Sequence, residues 1–326
     1  MTPARPTFSV LLYGDSGAGK TTQIGVLASW LMEEHRLRTR LYNADGGTPK
    51  AINDLVKAGL IEVVQCHKRP QPWVWIDAAS KGKVLAEDGK TWVLDEARNA
   101  LFGLYAYDGL TGFGEALLAN MRDASEPQVG GGMGMVVRQG GTTFGTNTQA
   151  HYGLAQGCLI DAVGNSQTLP GISLWTATAK RTADADTLAT VLGPQLPGKA
   201  LTSDSPRWFQ YCFRVNQTIE KGQLVYRLYW EDFDDPTAPG AKCLGNSRLP
   251  LGANTGGKSY NEPADIGEAI RLFDRLHEEA ARAAQKKWGE IVAALPPLPP
   301  LPAAPAPRVV VPGRPAGPVV VGSVRK

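Results

Sequence analysis

The sequence predicts an α/β protein with a mainly parallel sheet flanked by helices. Three observations carry this. Short apolar runs alternate with helical patterns from the amino terminus to about Arg248. The first run, Thr7 to Tyr13, leads directly into GDSGAGKTT, residues 14–22. Two later strand-like runs end in aspartate, at Asp45 and Asp108.

The first strand, TFSVLLY, is followed by a loop that matches G-x-x-x-x-G-K-[ST] without deviation, and then by a helical pattern through Ile24, Leu27 and Leu31. The residue types suit phosphate binding. Gly14, Gly17 and Gly19 let the backbone wrap an anion, with Asp15, Ser16, Ala18 and Thr22 completing the loop. The loop amides and the start of the following helix point at negative charge. Lys20 places a cation at the β and γ phosphates, and Thr21 offers a hydroxyl to Mg²⁺.

A second strand, Thr39 to Asp45 before Gly46-Gly47, is expected next to the first, with Asp45 at the carboxyl rim where ligands of open parallel sheets bind. A carboxylate there orients and deprotonates an attacking water, so Asp45 is the candidate catalytic group; the alternative is a turn aspartate ahead of two glycines. The run Leu104 to Asp108, then Gly109-Leu110-Thr111, reads as the second acidic strand, with Asp108 supporting Mg²⁺. A fourth strand, Gly171 to Thr178, ends in hydroxyls. There Thr176, slightly ahead of Thr178, is the candidate γ-phosphate sensor, and Lys180 and Arg181 are candidate cations for a phosphate of the same or a neighbouring subunit. The alternative at this end is a solvated basic turn.

Between these elements lie two irregular stretches. Residues 67–99 read as an insertion with Trp73, Trp75 and Trp92 among basic residues, suited either to stacking single-stranded nucleic acid or to anchoring a small subdomain. Residues 129–145 hold seven glycines and are expected to be a mobile loop, a lid over the nucleotide or a plain connector, in which Arg138 is a candidate nucleic-acid contact by family resemblance alone. After Arg207, two β-rich runs flank Glu220-Lys221-Gly222, a hairpin expected at the sheet edge.

The carboxyl-terminal part separates by composition. Residues 261–294 read as one long amphipathic helix with Ile266, Ile270, Phe273, Ala280, Ala284, Trp288 and Ile291 on one face and Asn261 as its expected cap. Residues 295–326 hold ten of the 24 prolines and are expected to be an extended, disordered tail, a spacer or a ligand for a protein partner. The expected division is therefore an α/β domain over residues 1–255, the helix over 261–294 and the tail.

Bulk properties narrow the function. Hydrophobic residues make up 43% of the 326, enough for a large core, and no run of eighteen apolar residues predicts a membrane span. The tail carries four basic and no acidic residues, leaving 30 basic against 31 acidic side chains over residues 1–294. So balanced a body argues against a broad phosphate-binding surface while allowing a local basic groove. Cys66, Cys158, Cys212 and Cys243 are widely spaced, which argues against zinc or a disulfide framework. The amino terminus enters a strand at once and leaves no room for a signal peptide, so a cytoplasmic protein is expected. No N-K-x-D guanine-reading element occurs, so ATP is preferred to GTP.

With these residues in place, the chain resembles the RecA-like P-loop ATPases, and more narrowly the phage-encoded nucleotide-binding proteins of that group that act in single-strand annealing and recombination. The resemblance rests on GDSGAGKT, LYNADGG, GLYAYDGLTGF, LPGISLWTATAKR and VLGPQLPGKAL, and covers roughly residues 7–215. It implies that Gly14 to Thr21 bind ATP, that Asp45 is the catalytic carboxylate and that Asp108 supports Mg²⁺. It also implies a ring or filament of identical subunits, and single-stranded DNA as a partner in the host cytoplasm. The chain departs from the family in carrying Asp rather than Glu at 45, and in lacking a glutamine at the end of the fourth strand, so slow hydrolysis is expected. Two other functions compete: a nucleotide-gated assembly protein with little turnover, and a P-loop kinase for a nucleoside or other small molecule.

Overall fold

The computed structural model describes residues 5–44, 50–66, 71–124, 136–139, 142–145, 149–183, 190–231, 233–234, 241–249, 255 and 259–294. In chain order the elements are β1 (Ser9–Gly14), α1 (Lys20–His35), β2 (Arg38–Asn43), α2 (Asn53–Lys57), β3 (Ile61–Gln65), α3 (Pro72–Ser80), β4 (Val84–Leu85), β5 (Trp92–Val93), α4 (Glu96–Asn99), β6 (Phe102–Asp108) and α5 (Leu110–Ala124). There follow β7 (Val136–Gln139), β8 (Thr142–Gly145), α6 (Gln149–Ser166), β9 (Ile172–Ala183), β10 (Thr190–Pro194), α7 (Lys199–Asp204), β11 (Tyr211–Glu220) and β12 (Gln223–Tyr229). The last are β13 (Phe233–Asp234), β14 (Ala241–Cys243), β15 (Tyr260–Asn261) and α8 (Ile266–Ala294).

Among the described residues these strands build an eleven-stranded sheet. Its body is six parallel strands in the order β3–β2–β6–β9–β1–β11, and β12 and β15 add antiparallel at the β11 side. Strands covered on both faces read as continuous apolar runs rather than alternating ones, as VLLY in β1 and GLYAY in β6 do. One face packs on α3, α5 and α6 through Trp75, Phe113, Leu117, Leu159 and Trp175. The other packs on α1 and the start of α8 through Ile24, Leu27, Leu31, Phe213 and Phe273.

Several expectations need correction. β2 does not lie beside β1: β6 and β9 stand between them, because sheet order follows from crossovers that local patterns do not encode. The fourth strand does not stop at Thr178. β9 runs on to Ala183, and its extension pairs antiparallel with β10, placing Lys180 and Arg181 opposite Gly193 and Leu192 rather than in a turn. The hairpin at Lys221-Gly222, both at positive φ, is present, but its first strand is an interior parallel neighbour of β1 and only its second strand lies toward the edge. Part of the glycine-dense stretch forms an antiparallel pair, β7 with β8, where a loop was expected.

The insertion is tied to the sheet. Arg40 of β2, fully buried, donates to Gly82 O at 3.0 Å and to Asn99 Oδ1, pairs with Glu62 at 3.2 Å and lies 4.1 Å over the Phe102 ring. Trp75 is buried edge-on against Phe113, and Trp92 packs partly buried on the same core, which is the anchoring role; only Trp73 of the three is exposed.

The long helix is capped by Asp265, whose carboxylate accepts from Glu268 N at 2.9 Å, and not by Asn261, which belongs to β15 and braces Asp265 through its main chain. Gln23 of α1 clasps the same helix start, donating to Ala264 O and accepting from Ile266 N. Residues 1–280 form one compact unit, which includes the helix start with Ile266, Ile270 and Phe273 buried. Residues 281–326 form a second, of which 281–294 are helical. The expected tail, 295–326, lies outside the described residues. No described helix is long and apolar enough to cross a membrane.

Candidate functional site

The phosphate loop joins two rigid elements. β1 is buried throughout, and α1 begins at Lys20 with Gly19 as its cap at φ 94°. That left-handed conformation costs a side chain of ordinary chirality about 1–2 kcal/mol, so glycine is the residue for it. Gly14 is required for a different reason: a Cβ there would overlap the carbonyl oxygen of Val215 on β11, which passes directly alongside. Ala18 is buried in the core and its amide bonds Asp15 O at 3.1 Å, closing the loop on itself. The exposed Asp15 carboxylate stands 3.9 Å from the guanidinium of Arg214, a buried side chain that also bonds the Cys243 thiol.

The loop opens into a cavity of about 510 Å³, within the size range of small-molecule sites. Ser16, Gly17, Gly19, Lys20, Thr21 and Thr22 form one wall, with Lys50 beside them. Asp108, Thr176 and Thr178 line the same cavity. The Lys20 ammonium donates to the carbonyls of Gly14 and Asp15, each at 2.9 Å, and so spans the loop mouth. The amino terminus of α1, with its partial positive charge, faces the same space.

Asp108 organises the strand ends beside the loop. It ends β6 almost fully buried, where Thr21 donates to one carboxylate oxygen at 3.0 Å and Thr176 to the other at 2.6 Å. Thr176, fully buried in β9, also accepts from Gly109 N at 2.8 Å. Its single proton is therefore committed to Asp108, and its position is that of a brace for the carboxylate. Behind it Tyr107 and Trp175 stack at 4.1 Å, fixing the two strand ends that carry Asp108 and Thr176. A hydroxyl and a carboxylate 3.0 Å apart, facing a phosphate loop, are the hard oxygen donors that Mg²⁺ takes. Among the described residues no cluster of three or more His, Cys, Asp or Glu side chains is grouped to hold a metal. Thr21 and Asp108 are the described oxygen donors that could hold such an ion.

The remaining candidates are placed as follows. Asp45 lies outside the described residues; the chain reaches it from Ala44, whose amide bonds Asp108 O at 3.1 Å. Arg138 sits on β7 opposite Thr143, and its side chain lies outside what is described. Lys180 and Arg181 line a neighbouring cavity and not that of the loop.

Thr111, Glu115 and Gln195 are among the residues lining the loop cavity that sequence reasoning missed, as is Lys50. Thr111 Oγ1 donates to Gln195 O at 2.8 Å and accepts from Thr178 N at 3.0 Å, and Gln195 N bonds Thr178 O at 2.6 Å. A glutamine thus reaches the rim from the residue after β10, although none ends the fourth strand. The only local hint was VLGPQLPG, a strand-like run broken by prolines; its pairing with β9 is a tertiary fact.

In the order β2–β6–β9–β1–β11 one strand, β9, separates the phosphate-loop strand from the strand that carries Asp108. No protein-family model matches the chain, and no curated protein matches it in sequence. Among solved structures it is similar to a KaiC-like protein of the hyperthermophilic archaeon Pyrococcus horikoshii, at 9% identity and a TM-score of 0.39 over 68% of this chain and 77% of that one. It is also similar to the flagellar accessory protein FlaH of Methanocaldococcus jannaschii, at 13% identity and a TM-score of 0.36 over 68% of this chain and 76% of that one.

Proposed function

We propose that this protein binds ATP with Mg²⁺ at the phosphate loop and hydrolyses it slowly. The observation that carries the reading is the bond from Thr21 on the loop to Asp108, on a strand two places away, at the carboxyl rim of a parallel sheet. That bond brings the two acid and hydroxyl donors of a phosphoryl-transfer site to one point. Lys20 and the loop amides hold the β and γ phosphates, Thr21 and Asp108 hold the ion, and Thr176 keeps Asp108 oriented. Mg²⁺ supplies charge neutralisation on the phosphate oxygens. Asp45 is assigned the orientation of the attacking water, from its place after β2 in the sequence.

By the sequence resemblance, the reading extends to a homo-oligomer acting on single-stranded DNA in the cytoplasm. Lys180, Arg181 and Arg138 are its candidate phosphate contacts, and the proline-rich tail is its protein-binding segment. The test is calorimetry with MgATP followed by phosphate release, with and without single-stranded DNA at two salt concentrations, for the wild type and Lys20→Ala. Binding and release by the wild type, both lost in Lys20→Ala, support an ATPase; salt-sensitive stimulation by DNA supports the nucleic-acid role. Tight binding with negligible release makes the protein a nucleotide-gated assembly factor, and turnover only with an added nucleoside makes it a kinase. No heat with MgATP removes the reading altogether.

A further inference from the structure

We propose that Tyr226, on β12, is the surface on which the base of the loop-bound nucleotide stacks, with the amide of Gln217 at the edge of that base. The inference rests on nucleotide binding at the phosphate loop and assigns the part of the ligand that the loop does not hold. The Tyr226 ring lies against the loop: its Cδ1 and Cε1 are 3.6 and 3.7 Å from where a Cβ on Gly19 would stand. The residue is half-buried, so part of the ring stays open beside the glycine that caps α1.

The hairpin that carries this tyrosine has two unlike faces. β11 and β12 pair Val215 with Leu228, Gln217 with Tyr226 and Ile219 with Leu224, and strand alternation puts these three pairs on one face. Val215 and Leu228 belong to the core shared with α1. Beyond them the face leaves the core and ends in Ile219, 76% exposed, and Leu224, 49% exposed. The other face is mainly polar over the same length, with Asn216, Thr218, Glu220, Gln223 and Arg227. An apolar strip therefore runs outward from the core past the phosphate loop. Tyr226, Leu224 and Ile219 fall short of a subunit interface, which buries about 1,600 Å² in all. A nucleobase needs only one ring face, and stacking on an aromatic side chain is how proteins commonly hold it. Gln217, exposed and directly across from Tyr226, offers both a donor and an acceptor to the base edge.

The direction of the phosphate chain agrees. Thr21 and Asp108 assign the ion and the γ-phosphate to the side of β1 on which β9 and β6 lie. The nucleoside is at the other end of that chain, and β11 and β12 stand on the other side of β1. A purine presents more ring to the tyrosine than a pyrimidine does, so purine triphosphates are favoured.

The test is calorimetric titration of the full chain with MgATP, MgCTP and magnesium tripolyphosphate, the last carrying the phosphates without a base. We expect Tyr226→Ala to weaken MgATP about tenfold or more and to leave tripolyphosphate unchanged, while Tyr226→Phe keeps the wild-type affinities. Gln217→Ala, at an exposed position that leaves the ring in place, weakens MgATP severalfold and tripolyphosphate not at all. In the wild type MgATP binds severalfold tighter than MgCTP. The fluorescence of 2-aminopurine riboside triphosphate is quenched when it binds the wild type and not when it saturates Tyr226→Ala. Wild-type MgATP affinity in Tyr226→Ala overturns the proposal. So does an equal loss for MgATP and tripolyphosphate, because the ring then supports the loop and not the base. Unquenched aminopurine bound to the wild type overturns it without any variant. No heat with any of the three ligands removes the phosphate site and the base site with it; heat with all three at equal affinity removes the base site alone.

Discussion

Thr176→Val separates a positioning role for this residue from contact with the γ-phosphate. Valine fills nearly the same volume but removes the hydroxyl that donates to Asp108 at 2.6 Å and accepts from Gly109 N at 2.8 Å. A hydrogen bond to a charged group contributes about 1.5–3 kcal/mol, and a buried amide left without an acceptor costs about 1–3 kcal/mol. The added methyl group offsets part of this, by about 1 kcal/mol. The net loss is about 2–4 kcal/mol, which for a chain of this size lowers Tm by about 5–10 °C. Thr176→Ser keeps both bonds, loses one methyl group and lowers Tm by about 2–4 °C. Thermal melts of the three proteins, paired with ATP titrations with and without Mg²⁺, read the two roles apart. With Asp108 no longer braced, MgATP affinity falls about tenfold in Thr176→Val, metal-free ATP affinity is unchanged, and Thr176→Ser restores the wild-type values. A valine variant that melts with the wild type refutes the bonding argument. Equal loss of metal-free and Mg²⁺-dependent affinity refutes the positioning role and points to direct contact with the phosphate.

Other perturbations test the frame around the site. Gly14→Ala forces β1 away from Val215 of β11 and is expected to abolish soluble expression, whereas Gly17→Ala, which meets no atom, costs about 1–2 kcal/mol for its positive φ, read as a Tm decrease. Arg40→Met leaves the Asn99 and Gly82 oxygens without their buried donor, while Glu62 keeps Arg98 at 3.0 Å, and is expected to cost about 1–3 kcal/mol in denaturant unfolding, with limited proteolysis cutting residues 71–99 first. Desolvation, with Glu278 nearby, pushes the carboxyl of Asp274, a surface residue of α8, above its usual range against the lowering effect of His277 and His35. Such a group supports the fold fully at pH below its unfolded value and loses that contribution as pH rises through its folded value. Asp274→Asn is therefore expected to raise Tm near pH 7 and to have a shrinking effect as pH falls toward 4; an effect that grows on acidification contradicts the assignment.

The chain by itself determined the phosphate loop, because its chemistry is local: glycines at fixed spacing, a lysine and a threonine between an apolar run and a helix pattern. Asp108 was legible for a related reason, since an apolar strand ending in a carboxylate places that group at the rim whatever its neighbours are. Tertiary structure decided everything that depends on which strand lies beside which. It set β6 and β9 between β2 and β1, turned Thr176 toward Asp108, and drew Lys180 and Arg181 out of an expected turn onto a paired strand. It also brought Gln195 to the cavity that Thr111 and Glu115 of α5 line, from a separate stretch of chain. Hydrophobic periodicity specifies that a strand is buried but is nearly blind to its partner, so contacts across strands are fixed only when the crossovers close and the side chains pack.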